Sequence, residues 1–303
     1  MVRKLKLENY LNTEKSNDFL EMAYNAETQT KAKSYLKKAL ELNPDNLDAE
    51  LALADISSKS QLDFLKKTED IIAHGNKLME EQGYFEKDCI GDFWLILETR
   101  PYMRVRYRYL MLLLECKMLK KAIYECEEML KLCENDNLGV RYILIHLYTF
   151  LEDEKSVLRL YKKLKMLKTT QLLFPLSVLY YKLLDFKKAE KYLLELAETN
   201  RYTKEFFKAF LEERIDEFEL EDYGYRPFTI DELIVTFMEN LYLYCNLIEY
   251  FSWGYDILKK KNKIIKIRSC CKLIRFCLLN CNSFFSRNYI SILKFEIQVR
   301  YIL

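Results

Sequence analysis

Glycine, proline and histidine are scarce in this chain of 303 residues, which holds 6, 4 and 2 of them. A sheet-rich fold needs a turn roughly every 8–12 residues, so this shortage of breakers excludes one and leaves helices. The two histidines, His74 and His146, are far apart and carry no HExxH-type motif. In YILIHLY, His146 fits a core or groove position better than a ligand or base. Neither a Gly-rich phosphate loop nor a nucleophile elbow occurs. Acidic pairs such as Glu212–Glu213 and Glu221–Asp222 read as solvated helix faces. No window approaches about 18 uncharged apolar residues, so no membrane-spanning helix is expected. The start, MVRKLKLENYLNTEKSNDF, is basic but has no apolar stretch of a secretory leader. The nine cysteines are odd in number and scattered, as reduced thiols are. These absences point to a cytoplasmic, non-enzymatic chain without metal or cofactor.

Half of the residues are hydrophobic and 31% are charged, a globular composition with ample apolar surface to bury. The net charge of +2 hides an asymmetry. Residues 259–303 carry eleven Lys or Arg and one acid, Glu296, leaving 37 basic against 45 acidic residues elsewhere.

A period of about 34 residues organises the middle of the chain. In AKSYLKKALELNPDN, small Ala32 and Ala39 let paired helices approach, Leu36 fills the contact and Pro44 stops the helix. Weaker copies start at Ala122, Ser156 and Ala189, with Cys126, Leu160 and Leu193 four residues on. Preceding helices share the register through Leu110/Leu144 and Leu113/Leu147/Tyr180. Polar breaks at Glu134–Asn137, Glu152–Asp153 and Asp185 mark the turns. Between 57 and 90 the period fails, and the spacing of Leu62, Leu65, Ile72 and Leu78 predicts one long helix ending near Gly83. RVRYRY alternates as a strand would, yet it runs into LMLLLEC without a turn, and the register makes it a helix. After Gly224 and Pro227, residues 230–260 read as one or two helices, opened by Thr229 and Glu232 in a capping-box spacing.

The pattern resembles tetratricopeptide repeats, which implies an all-α fold, a helical-hairpin solenoid. ETRPYMR and NDNLGVRYIL, and further on YRPFTIDELIVTFMENLYLY with FSWGY, are similar to segments of a group of bacterial repeat proteins. These are distantly similar to the repeat region of the suppression-of-tumorigenicity-seven family. The resemblance covers about 30–258 and brings no reaction. The organisation expected is 1–56, N-terminal helices with one repeat-like hairpin; 57–90, an inserted long helix; 91–200, the core array; 201–258, capping helices; and 259–303, a basic, Cys-rich tail.

The densest run of arginine and aromatic residues is GDFWLILETRPYMRVRYRYL, 91–110. Pro101 suits a first helical turn. The resemblance implies a concave groove formed by Arg104, Tyr107 and Met111, then Arg141, Ile145 and Tyr148, then Phe174 and Tyr181. Arginine there forks onto a carboxylate or carbonyl while tyrosine packs on apolar groups, which suits an extended peptide or a helix of a partner protein. The carboxylate-clamp subtype wants Asn where this chain has Met111, Ile145 and Val178, so chaperone tails do not fit. The competing reading pairs Arg100, Arg104 and Arg141 internally with acids such as Glu98 or Asp136. A nucleic-acid adaptor is the alternative function, since Arg interleaved with Tyr can stack on single-stranded bases. The acidic body argues against a phosphate footprint.

Residues 261–303 contain no Ala, Gly, Pro, Asp or Thr. That composition is what an out-of-frame read of AT-rich DNA would give. It also fits a basic amphipathic segment that touches membrane or nucleic acid, or ordinary packing. Cys270, Cys271, Cys277 and Cys281 lack the C-x2-C knuckle of a zinc site.

Overall fold

The computed structural model describes residues 2–86, 88–218 and 225–259, with side chains from residue 10 onward. The basic tail lies outside the described residues from 260 on. Among the described residues the chain is all-helical, with fourteen α-helices and no strand. It divides into two compact units, Met1–Val140 and Arg141–Leu303.

The first unit holds α1 (Val2–Tyr24), α2 (Gln29–Leu42), α3 (Leu47–Ser57), α4 (Gln61–Glu81), α5 (Arg100–Glu115) and α6 (Leu119–Leu132). Neighbours in sequence pack as neighbours in space, and α5 packs on both α3 and α4. The second holds α7 (Val140–Phe150), α8 (Glu154–Lys163), α9 (Thr170–Lys182), α10 (Phe186–Thr199) and α11 (Thr203–Leu211). It closes with α12 (Ile230–Glu239), α13 (Leu241–Tyr244) and α14 (Ile248–Lys259). The C-terminal region therefore forms three helices where the spacing suggested one or two.

Local chemistry starts these helices in a uniform way. Thr28, Asn46, Ser60, Asp153 and Asp185 each stand at an N-cap in non-helical backbone. Their side chains accept the amides of Lys31, Ala49, Asp63, Ser156 and Lys188, satisfying donors that have no intrahelical partner. The capping box at Thr229 forms only in part. Glu232 reaches back, but to the amide of Phe228 at 2.7 Å, while the Thr229 hydroxyl donates to the carbonyl of Arg226.

The helix ends repeat too. After α5, α7, α9 and α11 a residue enters the left-handed region: Lys117, Glu152, Leu184 and Glu213, with φ of 58, 57, 60 and 57°. The next amide donates five residues back, Met118 to Leu113, Asp153 to Tyr148, Asp185 to Tyr180 and Arg214 to Ala209, at 2.8–3.0 Å. This is a Schellman turn, made at each of these four ends without glycine. Gly83, at φ 75°, makes the same turn after α4, where the long helix was expected to stop.

The second helix of a hairpin exits by another recurring turn. Asn43, Cys133 and Asn200 cap α2, α6 and α10 in extended backbone, with their amides on the carbonyls of Ala39, Met129 and Leu196. Three residues later Asn46, Asp136 and Thr203 close the turn by donating to those cap carbonyls at 3.0–3.2 Å. The small and apolar residues that open these segments, Ala122, Cys126, Ala189 and Leu193, are fully buried, as are Leu36 and Ala39. The copy at Ser156 ends differently, through Lys165 and Met166, both left-handed.

Helices approach closely where glycine permits. A Cβ on Gly254 of α14 would meet Phe207 at 2.6 Å and Leu193 at 3.1 Å. The core of the second unit is aromatic: Phe174, Phe206, Phe207, Phe237, Tyr244, Tyr250 and Phe251 are all buried.

The left-handed caps carry a measurable penalty. Leu184 is 73% exposed, so Leu184→Gly sacrifices little burial and relieves the backbone. The expected gain is about 0.5–1 kcal/mol, a rise of roughly 2–4 °C in melting temperature by calorimetry.

Candidate binding surfaces

The arginine and tyrosine run of α5 is a helix, as its register implied, and each of its arginines turns inward to a partner. Arg104 forks onto Asp48 of α3, through Nε at 2.9 Å and through Nη2. Arg106 forks onto Glu125 of α6, Nε to Oε1 at 2.6 Å and Nη2 to Oε2 at 3.0 Å. Its remaining nitrogen donates to the Tyr102 hydroxyl at 3.1 Å. Both guanidiniums are buried. The fork onto Glu125 holds Arg106 charged, with its pKa raised against the pull of burial. Arg108 pairs with Glu115 at 2.9 Å and lies over the Phe64 ring. Tyr109 donates to Glu69 at 2.7 Å. Arg100 donates from Nε to the carbonyl of Trp94 at 2.8 Å and stacks on its ring.

These contacts make the run a fastener of the first unit. It ties α5 to α3, α4 and α6. The carboxylate that Arg104 finds is Asp48, 56 residues away in sequence, rather than nearby Glu98. Tyr107 and Met111, the other groove positions of α5, are half-buried.

In the second unit the groove positions split. Phe174 and Ile145 are 0% exposed and Tyr148 is 5%. They belong to the core and present nothing to a partner in this structure. Arg141 and Tyr181 are half-buried, with Arg141 over the Tyr142 ring.

The reason is that the chain covers this face itself. The segment of α12 and α13 packs along α9, which places Tyr244 flat on Phe174 at 4.5 Å and edge-on to His146 at 5.7 Å. Tyr242 meets Phe150 edge-on at 5.6 Å. Gln171 donates to the Tyr225 hydroxyl. Thr170 donates to Glu232 at 2.7 Å, and Asn200 donates to the carbonyl of Thr229 at 2.8 Å. The inner face of α9 is thus filled by aromatic and hydrogen-bonding groups from 54 to 70 residues downstream.

Titratable groups in these cores are engaged in structure. His146 is fully buried, and its Nδ1 lies 2.6 Å from the carbonyl of Tyr142, which fixes the proton there. Burial pushes its pKa down to about 4. Its Nε2 and the Tyr244 hydroxyl are both buried without a hydrogen bond. Cys126 is buried too, and burial drives its thiol well above the usual range, so it behaves as a small hydrophobe. Among the described residues no three His, Cys, Asp or Glu side chains are grouped to hold a metal, and no helix is long and apolar enough to cross a membrane.

No protein-family model matches the chain, and no curated protein matches it.

Proposed function

We propose that the chain is a non-enzymatic scaffold whose two units stack tetratricopeptide-type helical hairpins and offer their outer surfaces to protein partners. The recurrence of one hairpin carries this reading: buried residues four and seven positions on, and the same exit turn, follow Ala32, Ala122 and Ala189. Stacked hairpins bury their own apolar faces and leave extended surfaces that suit peptides and helices. The identity with tetratricopeptide repeats, and with the bacterial group that shares ETRPYMR, is part of the proposal. So is a cytoplasmic location.

The alternative, a nucleic-acid adaptor, draws on the arginines of α5. Those guanidiniums face Asp48, Glu125 and Glu115, and a phosphate would have to displace buried carboxylates to reach them. That favours a protein partner. Chemical cross-linking of the full chain in its own cell extract, read by mass spectrometry, tests the choice. A discrete protein partner cross-linked to surface lysines is expected. Single-stranded oligonucleotide binding that collapses with salt, with no such partner, would favour the adaptor.

A further inference from the structure

The segment between α4 and α5 is pinned like a structural element. The amides of Gly91 and Phe93 both donate to the carbonyl of Leu132 at 3.1 Å, and the Glu134 amide returns a bond to Gly91 at 2.8 Å. Thr99 Oγ1 donates to the carbonyls of Phe93 and Ile96, and Arg100 holds the carbonyl of Trp94. Phe93 is fully buried and stacks on Phe85. From this fixed base Ile90, Leu95 and Leu97 turn outward, 46, 57 and 62% exposed. A single exposed apolar side chain is ordinary, but three within eight residues of an anchored loop leave apolar area that ordering has not buried.

The segment that carries this surface is acidic. Residues 80–98 contain six acids and one lysine. Glu86, Asp88, Asp92 and Glu98 are exposed, as is Glu134, whose side chain lies beside Gly91. Among the described residues none of these five has a basic side chain within ion-pair distance. Elsewhere in the same unit Asp48, Glu115 and Glu125 are all paired.

We propose that this loop is a docking surface for a basic amphipathic segment of a partner protein. Leucine or isoleucine side chains of that segment rest on Ile90, Leu95 and Leu97, and its Lys or Arg residues reach the carboxylate rim. Charge complementarity selects this occupant. The same rim repels nucleic acid and anionic lipid headgroups. The inference rests on the protein-binding reading and adds the place and the chemistry.

Three probes test it against the full chain by fluorescence anisotropy: a helical peptide of Leu, Ala and Lys with amphipathic spacing, its counterpart with Glu for every Lys, and vesicles of phosphatidylserine and phosphatidylcholine. The Lys peptide is expected to bind, and to bind more weakly at high salt. Leu95→Ser/Leu97→Ser and Asp88→Asn/Asp92→Asn/Glu98→Gln are each expected to weaken it about tenfold or more. Because the replaced side chains are exposed, thermal unfolding should not move, which separates lost docking from lost folding. Equal binding of the Glu peptide, binding of the vesicles, or a Lys-peptide affinity untouched by the leucine pair would overturn the proposal. In that last case a partner found by cross-linking would leave the scaffold reading standing. If no protein partner is found either, that reading falls with it.

Discussion

Arg106→Ala is expected to destabilise the first unit by about 3–5 kcal/mol, because it leaves the Glu125 carboxylate buried without its counter-charge. Glu125 is 4% exposed and Arg106 is 9% exposed, so water cannot take the place of the missing fork. The Tyr102 hydroxyl loses a donor in the same step. The double variant Arg106→Met/Glu125→Leu removes both charges and keeps the volume. It should recover most of the loss, since buried pairs often trade evenly with well-packed apolar residues. Urea unfolding of the wild type, both single variants and the double variant closes the cycle. A single variant within about 0.5 kcal/mol of wild type would mean that the fork stabilises nothing.

Acid should weaken the second unit through His146. Its pKa is about 4 in the folded chain against an ordinary 6.5, so between those values the unfolded chain binds the proton and the folded chain does not. The stability that neutral His146 permits is complete above about pH 6.5 and drains away as the pH falls toward 4. The whole effect amounts to about 3 kcal/mol. Among the described residues Tyr244 meets the ring edge-on and Nε2 has no hydrogen-bond partner to share a second proton's charge. Glu239 works against this trend. Desolvation by the protein around it raises its pKa, so its protonation favours the folded state as the pH falls. Its side chain still reaches solvent, which makes its share the smaller one. His146→Leu should flatten the acid limb of stability against pH, and Glu239→Gln should steepen it. An acid limb unchanged in His146→Leu would assign the acid sensitivity elsewhere.

Much of the fold is legible in the sequence because helix chemistry is local. The cap residues Thr28, Ser60, Asp153 and Asp185 stand where hydrophobic periodicity begins, and each makes the bond its position implies. The spacing of Ala32, Leu36 and Ala39 is set by contact with one neighbouring helix, so it survives in all three well-formed copies. The strand-like RVRYRY folds as helix because the apolar positions that follow, Leu110, Leu112 and Leu113, demand one buried face.

The candidate site was legible only in part, for a reason of range. The resemblance implies an inner face for Phe174 and Ile145, but it does not say what covers that face. The cover is Tyr244, 70 residues beyond Phe174, and no local period encodes that contact. Asp48 and Glu125 were likewise invisible as partners of Arg104 and Arg106. Both look like ordinary helix-surface acids until the fold brings α3 and α6 against α5. One signal was available: residues 80–98 hold six acids and one lysine, whereas helical acids such as Asp63 and Glu128 have a lysine three or four positions away.

The most direct measurement concerns Arg104, which a groove would offer to a guest and which the structure turns toward Asp48. Arg104→Ala and Asp48→Ala, with their double variant, can be compared in the full chain for unfolding free energy and for the partners recovered by cross-linking. The expected result is a loss of about 2–4 kcal/mol in Arg104→Ala, strong coupling to Asp48 in the cycle, and an unchanged partner set in the protein that remains folded. An Arg104→Ala chain as stable as wild type that no longer recovers its partner would contradict it, and would place this side chain with the guest.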